Sequence, residues 1–229
     1  MVEQQESFKI LCPKLPKENE LEKFDFSFNN SSNNNNNNSI QDEFCLSCAV
    51  VCDCTIENYI AEHVSFNQVI FRNIVFKDVS FKFIDMIDVR FENCDLSNSD
   101  FSGAVIHRVE IIKCKLVGIN LSKSTLRNVT FKSCNGKYAC FRFSNLKQVS
   151  YRNCMLVNTD FADSNFLQVG FGESNLTQAQ MSGTKLNGID FSNANIEGLG
   201  ARVEDLFGAI VSAVQAIYLA KKMGIIIKE

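Results

Sequence analysis

The sequence predicts an all-β fold, a right-handed, four-sided parallel β-helix, and two repeats in the chain carry this prediction. A large apolar residue recurs at every fifth position from Ile56 to Ile196, with Ala61 and Gly136 as the only exceptions. Similar residues also recur every twenty positions. This longer repeat includes Phe71, Phe91, Ile111, Phe131 and Tyr151. Repetition at a fixed period is typical of solenoids, in which each repeat packs on its neighbours.

A five-residue period excludes the ordinary regular elements. Five residues of an α-helix turn about 500°, so the apolar residues would wind around its surface. On a straight strand, an odd step would move the apolar residues from one face to the other. The chain must therefore bend once per repeat, and the twenty-residue recurrence gives four bends per coil. The large residue faces inward, and the residue two positions before it, usually small, lies near the corner.

The repeat also explains several residue types that are common at functional sites. Cysteines recur every twenty residues on the small inward positions, and aspartates precede several of the large residues. We interpret these cysteines as small buried residues in a packed core and these aspartates as hydrogen-bond acceptors at the corners. The cysteines are Cys94, Cys114, Cys134 and Cys154; the aspartates are Asp95, Asp100, Asp160 and Asp190.

Composition divides the chain into four segments. Residues 1–28 contain both prolines and an alternation of Phe24, Phe26 and Phe28, which predicts an extended arm. Residues 29–43 include an asparagine-rich tract and are predicted to be a disordered linker. The solenoid spans 44–211. Residues 212–229 are predicted to form a helix and a strand that cap the solenoid and pair two copies.

The C-terminal segment carries local helix signals. Ser212 and Gln215 have the spacing of a capping box, and Gly224 fits the position after the helix. Ile225, Ile226 and Ile227 then predict a strand. The helix is apolar nearly all round, more than capping one end requires, so a homodimer is predicted through this surface. The candidate dimer contacts are Val214, Ile217, Tyr218, Leu219 and Met223.

Four cysteines fall within ten residues before the regular repeat, and two interpretations remain open. Closely spaced cysteines are common in zinc sites. Alternatively, this stretch is the first coil of the solenoid, since Ala49 and Val51 fit the five-residue register; this interpretation is preferred. The weak metal candidates are Cys45, Cys48, Cys52 and Cys54.

No catalytic residues or cofactor-binding motif can be assembled. His63 and His107 are the only histidines and fall on different sides of the repeat, and no phosphate-binding glycine-rich loop occurs. The chain begins without a charged-then-apolar leader, and its most apolar window, 206–220, is too short to span a membrane. A cytoplasmic protein with reduced thiols and no membrane partner is predicted.

Charge is distributed unevenly along the repeat. Between Arg108 and Arg152 there are ten basic residues and one acidic residue, Glu110. Between Leu156 and Gly200 there are five acidic residues and one basic residue, Lys185. The basic belt, 108–152, is either an ordinary solvated surface or a docking site for an acidic partner or nucleic acid.

Several repeats resemble the consensus of the pentapeptide-repeat family, among them 94–98, 99–103 and 194–196. The C-terminal segment 215–227 resembles the cap of the quinolone-resistance (Qnr-like) members of that family. The resemblance implies a non-catalytic homodimer that imitates the shape of duplex DNA, binds DNA gyrase or topoisomerase IV and protects it from quinolones or toxins.

Two functional hypotheses follow. If the protein binds a topoisomerase as a DNA surrogate, the expected contacts are Asp160, Asp163, Glu173, Asp190 and Glu197. If it is instead a scaffold or a protein- or nucleic-acid-binding module, the expected contacts in the basic belt are Lys132, Arg142, Lys147 and Arg152.

Overall fold

The computed structural model describes residues 8–26 and 40–228, and it confirms the predicted four-sided parallel β-helix with one short C-terminal helix. The strands are β1 (Glu22–Lys23), β2 (Cys45–Cys52), β3 (Thr55–Glu57), β4 (Ile60–Glu62), β5 (Ser65–Arg72), β6 (Val75–Lys77), β7 (Ser80–Lys82), β8 (Asp85–Glu92), β9 (Val105–Ile112), β10 (Thr125–Lys132), β11 (Asn145–Arg152) and β12 (Asn165–Gly170). Helix α1 spans Ala213–Lys222, and short 3₁₀ turns span Glu18–Glu20 and Val203–Leu206.

The strands stack in parallel with a register of twenty residues. Leu126 lies beside Leu146, and Phe131 lies beside Tyr151. The longest sheet runs in the order β1-β2-β5-β8-β9-β10-β11-β12, and two short sheets pair β3 with β6 and β4 with β7. Equivalent residues of successive coils therefore form straight columns, as the twenty-residue recurrence predicts.

We number the four faces by their outward residues. Face 1 contains residues 55 and 57, face 2 contains 60 and 62, face 3 contains 65 and 67, and face 4 contains 70 and 72, each with its equivalents at twenty-residue steps. Each long strand, such as β5, covers faces 3 and 4 and the corner between them. This 3/4 corner contains residues 48, 68, 88, 108, 128, 148 and 168.

The large apolar residues fill the axis of the rod. Phe71, Phe131 and Phe161 are fully buried, and aromatic rings stack in columns. Phe131 lies 4.7 Å from Tyr151, and Tyr151 lies 5.3 Å from Phe171, between ring centroids. The Tyr151 hydroxyl is buried without a hydrogen-bond partner among the described residues, and burial raises its pKa.

The small inward residues do more than fill space. The Ser144 hydroxyl donates to the Leu121 carbonyl at 2.8 Å and accepts the Ser124 amide at 3.2 Å. The Cys134 thiol donates to the Ile111 carbonyl at 3.2 Å in the equivalent column. A buried backbone group without a partner is unfavourable, so these side chains satisfy groups at the corners. The cysteines are buried in the core, as predicted, and also make hydrogen bonds.

Every corner from Glu43 to Gly188 has a residue with positive φ at the fifth position. Asparagine, aspartate and glycine tolerate this conformation best, and they are frequent here. Gly103 meets a second requirement, because a Cβ at this position would lie 2.6 Å from the Phe83 ring. The predicted aspartate role is confirmed: Asp95 accepts the Ser97 amide and Asp160 accepts the Ala162 amide.

The N-terminal end of the rod is sealed by the chain's own residues. The ring centroids of Phe24 and Phe26 lie 4.8 Å apart, and Phe44 packs beside both at 6.3 Å. Ile40 is also buried in the core, and Asp42 accepts the Glu62 amide at 2.8 Å. Residues 40–43 thus belong to the seal, which corrects their assignment to a linker. Phe28 and residues 29–39 lie outside the described residues.

The C-terminal end confirms the predicted helix but not the predicted strand. Ser212 and Gln215 form the capping box, and Gly224 follows the helix with φ of +82°. Ile225, Ile226 and Ile227 are exposed and form no strand. A strand requires a neighbouring strand to satisfy its backbone, and this segment pairs with none of the described strands.

Candidate interaction surfaces

The five acidic residues proposed to imitate DNA do not form one surface. Asp160 lies on face 2, Asp190 on face 4 and Glu197 on face 1, while Asp163 and Glu173 occupy different corners. Two of these carboxylates are also close to one base. Arg142 lies 3.8 Å from Asp160 and 3.3 Å from Asp163.

The basic residues are better grouped. Lys132 and Arg152 are neighbours on face 4, and Arg127 and Lys147 are neighbours on face 3. Arg142 lies apart on face 2, over the Phe143 ring at 5.1 Å and close to two acids. Within residues 8–26 and 40–228, Arg127, Lys132 and Lys147 have no carboxylate within ion-pair distance. Faces 3 and 4 therefore each carry two neighbouring basic residues.

The four N-terminal cysteines do not converge on one point. Cys45 and Cys52 lie at opposite ends of β2, on faces 3 and 4, and Cys48 occupies the corner between them. Cys54 packs against the core, and burial raises its pKa. The described part of the chain contains no group of three or more histidine, cysteine, aspartate or glutamate residues able to hold a metal ion. The first-coil interpretation is thus the one the geometry supports.

The N-terminal arm follows the 3/4 corner, a route that the sequence did not predict. Gln148 donates its side-chain amide to the Lys9 carbonyl at 3.1 Å, and Asn128 accepts the Leu11 amide at 3.1 Å. Further along, Asp88 accepts the Lys14 amide at 2.8 Å. The arm runs opposite to the growth of the coils, from the middle of the rod to its N-terminal end.

Asp88 is the most constrained polar residue of this corner. It is buried, and Arg108 donates two hydrogen bonds to it, each of 2.6 Å. Burial alone would raise the pKa of Asp88, but the hydrogen bonds from Arg108 and from the Lys14 amide outweigh it and hold the pKa below its ordinary value. Asp88 is therefore ionised at neutral pH and binds both the rod and the arm.

The second half of the arm is anchored more firmly than the first. Glu18 forms an ion pair with Arg72 at 2.7 Å. Arg72 donates two hydrogen bonds to the Glu18 carboxylate, and these bonds lower its pKa. Leu21 packs against Val50 and Ile70, and β1 pairs with β2. The signal for this route in the sequence was weak. Polar residues are common at every corner because they tolerate a positive φ, so those that bind the arm do not stand out.

Comparison with known families agrees with this architecture. Residues 84–150 match a family described as pentapeptide repeat region, and residues 174–198 match one described as pentapeptide repeats (8 copies). These stacked coils are pentapeptide repeats. The matched segments lie within the stacked coils, where the five-residue register is most regular.

One relative matches part of this chain. Uncharacterized protein YisX from Bacillus subtilis (strain 168) is 38% identical over 92 residues, which cover 40% of this chain and 43% of that protein. The chain thus matches less than half the length of this relative.

Two solved structures are similar in fold. HetL of Nostoc sp. strain PCC 7120, a pentapeptide-repeat protein involved in heterocyst differentiation regulation, has a TM-score of 0.48 at 11% identity, covering 71% of this chain and 88% of HetL. QnrB1, a plasmid-mediated fluoroquinolone resistance protein, has a TM-score of 0.38 at 16% identity, covering 82% and 95%.

Among the described residues, the C-terminal end carries a group of exposed large apolar side chains. Among the predicted dimer contacts, Val214, Ile217, Tyr218 and Met223 are exposed, whereas Leu219 packs against the core of its own chain. Leu219 is therefore a cap residue in this structure. The neighbouring apolar residues that are also exposed are Phe207, Ile210, Ile225, Ile226 and Ile227.

Gln215 fixes helix α1 to the last coils. Its side-chain amide donates to the carbonyls of Phe191 at 2.8 Å and Ala194 at 2.7 Å, and its oxygen accepts the Ser212 amide. One buried side chain thus hydrogen-bonds two backbone carbonyls of the rod and caps the start of the helix. The other side of the helix faces solvent.

In the described part of the chain, no helix combines the length and the apolar character that a membrane span requires.

Proposed function

We propose that this protein is a non-catalytic binding rod that acts as a homodimer joined at its C-terminal ends. The observation that carries the proposal is the exposed apolar surface of α1 and residues 225–227. Monomeric proteins rarely expose a large contiguous apolar patch, and a two-fold interface would cover the same patch on both copies. Ile226 is 88% exposed, so pairing would remove an unfavourable contact with water.

A strand across the dimer axis would also satisfy the backbone of residues 225–227. These residues are β-branched, favour extended backbone and pair with none of the described strands. A second copy would supply an identical extended segment beside them. The dimer would then present two rods, each with its sealed N-terminal end distal to the interface and its basic residues in the middle.

The partner we propose for this dimer is DNA gyrase or topoisomerase IV, which it would protect from quinolones or toxins. This proposal rests on the resemblance of segment 215–227 to the cap of the quinolone-resistance members of the family. The regular four-sided rod supports imitation of the shape of duplex DNA. Imitation of its charge is less well supported, because the five acids lie on three faces and two corners, and two of them are close to Arg142.

A second candidate is a scaffold that binds an acidic protein surface or nucleic acid through faces 3 and 4. Two observations favour it: Arg127 and Lys147 are neighbours on face 3, and no carboxylate of the described residues lies within ion-pair distance of Arg127, Lys132 or Lys147. Neutralising such contacts weakens binding most at low salt, since exposed charges are screened as the ionic strength rises.

A supercoiling assay separates the two candidates. Gyrase is titrated with the protein in the presence and absence of ciprofloxacin, and protection of supercoiling is expected. Three forms are compared: the natural protein, a variant with the five acids changed to their amides, and a variant with four bases changed to glutamine. The acids are Asp160, Asp163, Glu173, Asp190 and Glu197; the bases are Lys132, Arg142, Lys147 and Arg152.

The topoisomerase proposal predicts that the acidic variant loses protection and the basic variant keeps it. Loss of binding to nucleic acid or to an acidic protein in the basic variant alone would favour the scaffold. Absence of any effect of the natural protein on gyrase, with or without the drug, would contradict the topoisomerase proposal while leaving the dimeric rod intact.

A further inference from the structure

The side chains of the 3/4 corner bind the main chain of the arm. Asn128 and Asp88 accept backbone amides, and Gln148 and Gln68 donate to backbone carbonyls, the latter to Lys14 at 3.0 Å. Recognition through backbone groups is compatible with many sequences, provided that the bound segment is extended. Pro13 and Pro16 fix the extended conformation in the arm.

The arm consists of two unequal halves. Residues 18–26 hold the rod through the Glu18–Arg72 ion pair, the β1–β2 pairing and the buried Phe26. Residues 8–17 are held by the corner hydrogen bonds, by the contact of Cys12 with Glu110 and by packing of Leu15 near Leu21. Leu11 leaves 45% of its surface exposed. Residues 8–17 pair with no strand of the described chain, and Leu11, Cys12 and Lys14 are exposed, so residues 8–17 can be displaced while residues 18–26 stay in place.

The charge of this first half is poorly matched to its site. Gln148, which binds the Lys9 carbonyl, is next to Lys147, and Asn128, which binds the Leu11 amide, is next to Arg127. Burial lowers the pKa of nearby His107, and the charges of Arg108 and Arg127 lower it further. The carboxylates facing the arm, Asp88 and Glu110, already pair with Arg108 and Arg90.

We infer that the 3/4 corner, from Gln68 to Gln148, is a binding site for an extended acidic segment of a partner protein, which displaces residues 8–17. The partner's backbone uses the same side-chain amides and carboxylate. Its acidic side chains meet Arg127 and Lys147, where the arm presents a lysine. This inference is independent of the C-terminal pairing and of topoisomerase binding.

The test uses two fluorescent peptides of residues 8–17. The control peptide carries only Cys12→Ser. The acidic peptide also carries Lys9→Glu and Leu11→Glu, placed beside Lys147 and Arg127, and it keeps Lys14 beside Asp88. The protein is the full chain, in its natural form and as Leu11→Pro/Lys14→Pro. Proline removes the two amides that Asn128 and Asp88 accept and leaves the rod unchanged.

The acidic peptide is expected to bind the proline variant about tenfold more tightly than the natural protein, since the competing arm is weakened, and about tenfold more tightly than the control peptide binds. Higher salt should reduce the second difference. In the natural protein, bound acidic peptide should speed hydrogen exchange at the Leu11 and Lys14 amides.

Matched variants locate the charge effect. Arg127→Gln/Lys147→Gln should abolish the preference for the acidic peptide, whereas Lys123→Gln/Lys137→Gln, on other sides of the rod, should preserve it. The inference is overturned if neither peptide binds the proline variant, if the two bind equally, or if the Leu11 and Lys14 amides stay protected while peptide is bound.

Discussion

The N-terminal end of the rod is covered by aromatic side chains of its own chain, whereas the C-terminal end leaves its apolar side chains exposed. At the first end, Phe24, Phe26 and Phe44 pack across the open coil. At the second, Gln215 closes two carbonyls but Ile217 and Ile226 face solvent. The open edge of a solenoid must be covered. The difference indicates that one end is completed within the chain and the other by a second chain.

The largest loss of stability is expected in the middle of the rod, and it is the reference with which the two ends are compared. Phe131→Ala should lower the free energy of unfolding by about 3–5 kcal/mol, because it leaves a cavity between packed coils. Chemical denaturation measures the loss. Lys132→Ala, on the outward neighbour, should change stability by less than about 0.5 kcal/mol. A loss below about 1 kcal/mol for Phe131→Ala would show that the axis is not packed as described.

A smaller loss is expected at the sealed end. Phe26→Ala should destabilise the protein by about 3 kcal/mol, since a buried ring is removed where coils pack on one side only. Hydrogen exchange should also accelerate first in β2, the strand that it covers. If Phe26→Ala were as silent as Lys132→Ala, the N-terminal end would not be sealed by the arm, and the contrast between the ends would disappear.

The smallest effect on the stability of a single chain is expected at the exposed end. Ile217→Glu/Ile226→Glu should change the free energy of unfolding of the monomer by less than about 0.5 kcal/mol. The same variant should convert a dimer into a monomer of 25.8 kDa in analytical ultracentrifugation, because charges would be buried at the interface. A natural protein that sediments as a monomer at micromolar concentration would contradict the proposed pairing.

The coiled part of the fold could be predicted from sequence because its determinants recur. Phe131 and Tyr151 are both inward-facing because the same position is buried in every coil. Each such residue therefore supports the assignment of its equivalent in the next coil. The Ser212–Gln215 capping box is a local signal and needs no tertiary information. The aspartate positions were predictable for the same reason, since Asp95 and Asp160 bond within their own turns.

The features that were missed depend on contacts that do not recur. Gln148 donates to the Lys9 carbonyl, 139 positions away in sequence, and the arm contains no repeat that would predict this contact. Ile225 to Ile227 have strand propensity, but propensity cannot supply a neighbouring strand. The five acids are close in sequence, between positions 160 and 197. Four corners per coil place them on different sides of the molecule.

The column arrangement of the coils has a consequence for how genes of this kind can change in length. Removing twenty codons would shorten the rod by about one strand spacing, roughly 4.8 Å, and return every later side chain to its own column. Removing five codons would instead rotate the rest of the chain by a quarter turn. Face 3 bases would then continue a different face, and the C-terminal end would turn relative to the arm. Such rods should therefore vary in steps of whole coils. Deletion of a coil that carries one of the arm's partners, such as Asn128, should also remove one hydrogen bond between the rod and the arm.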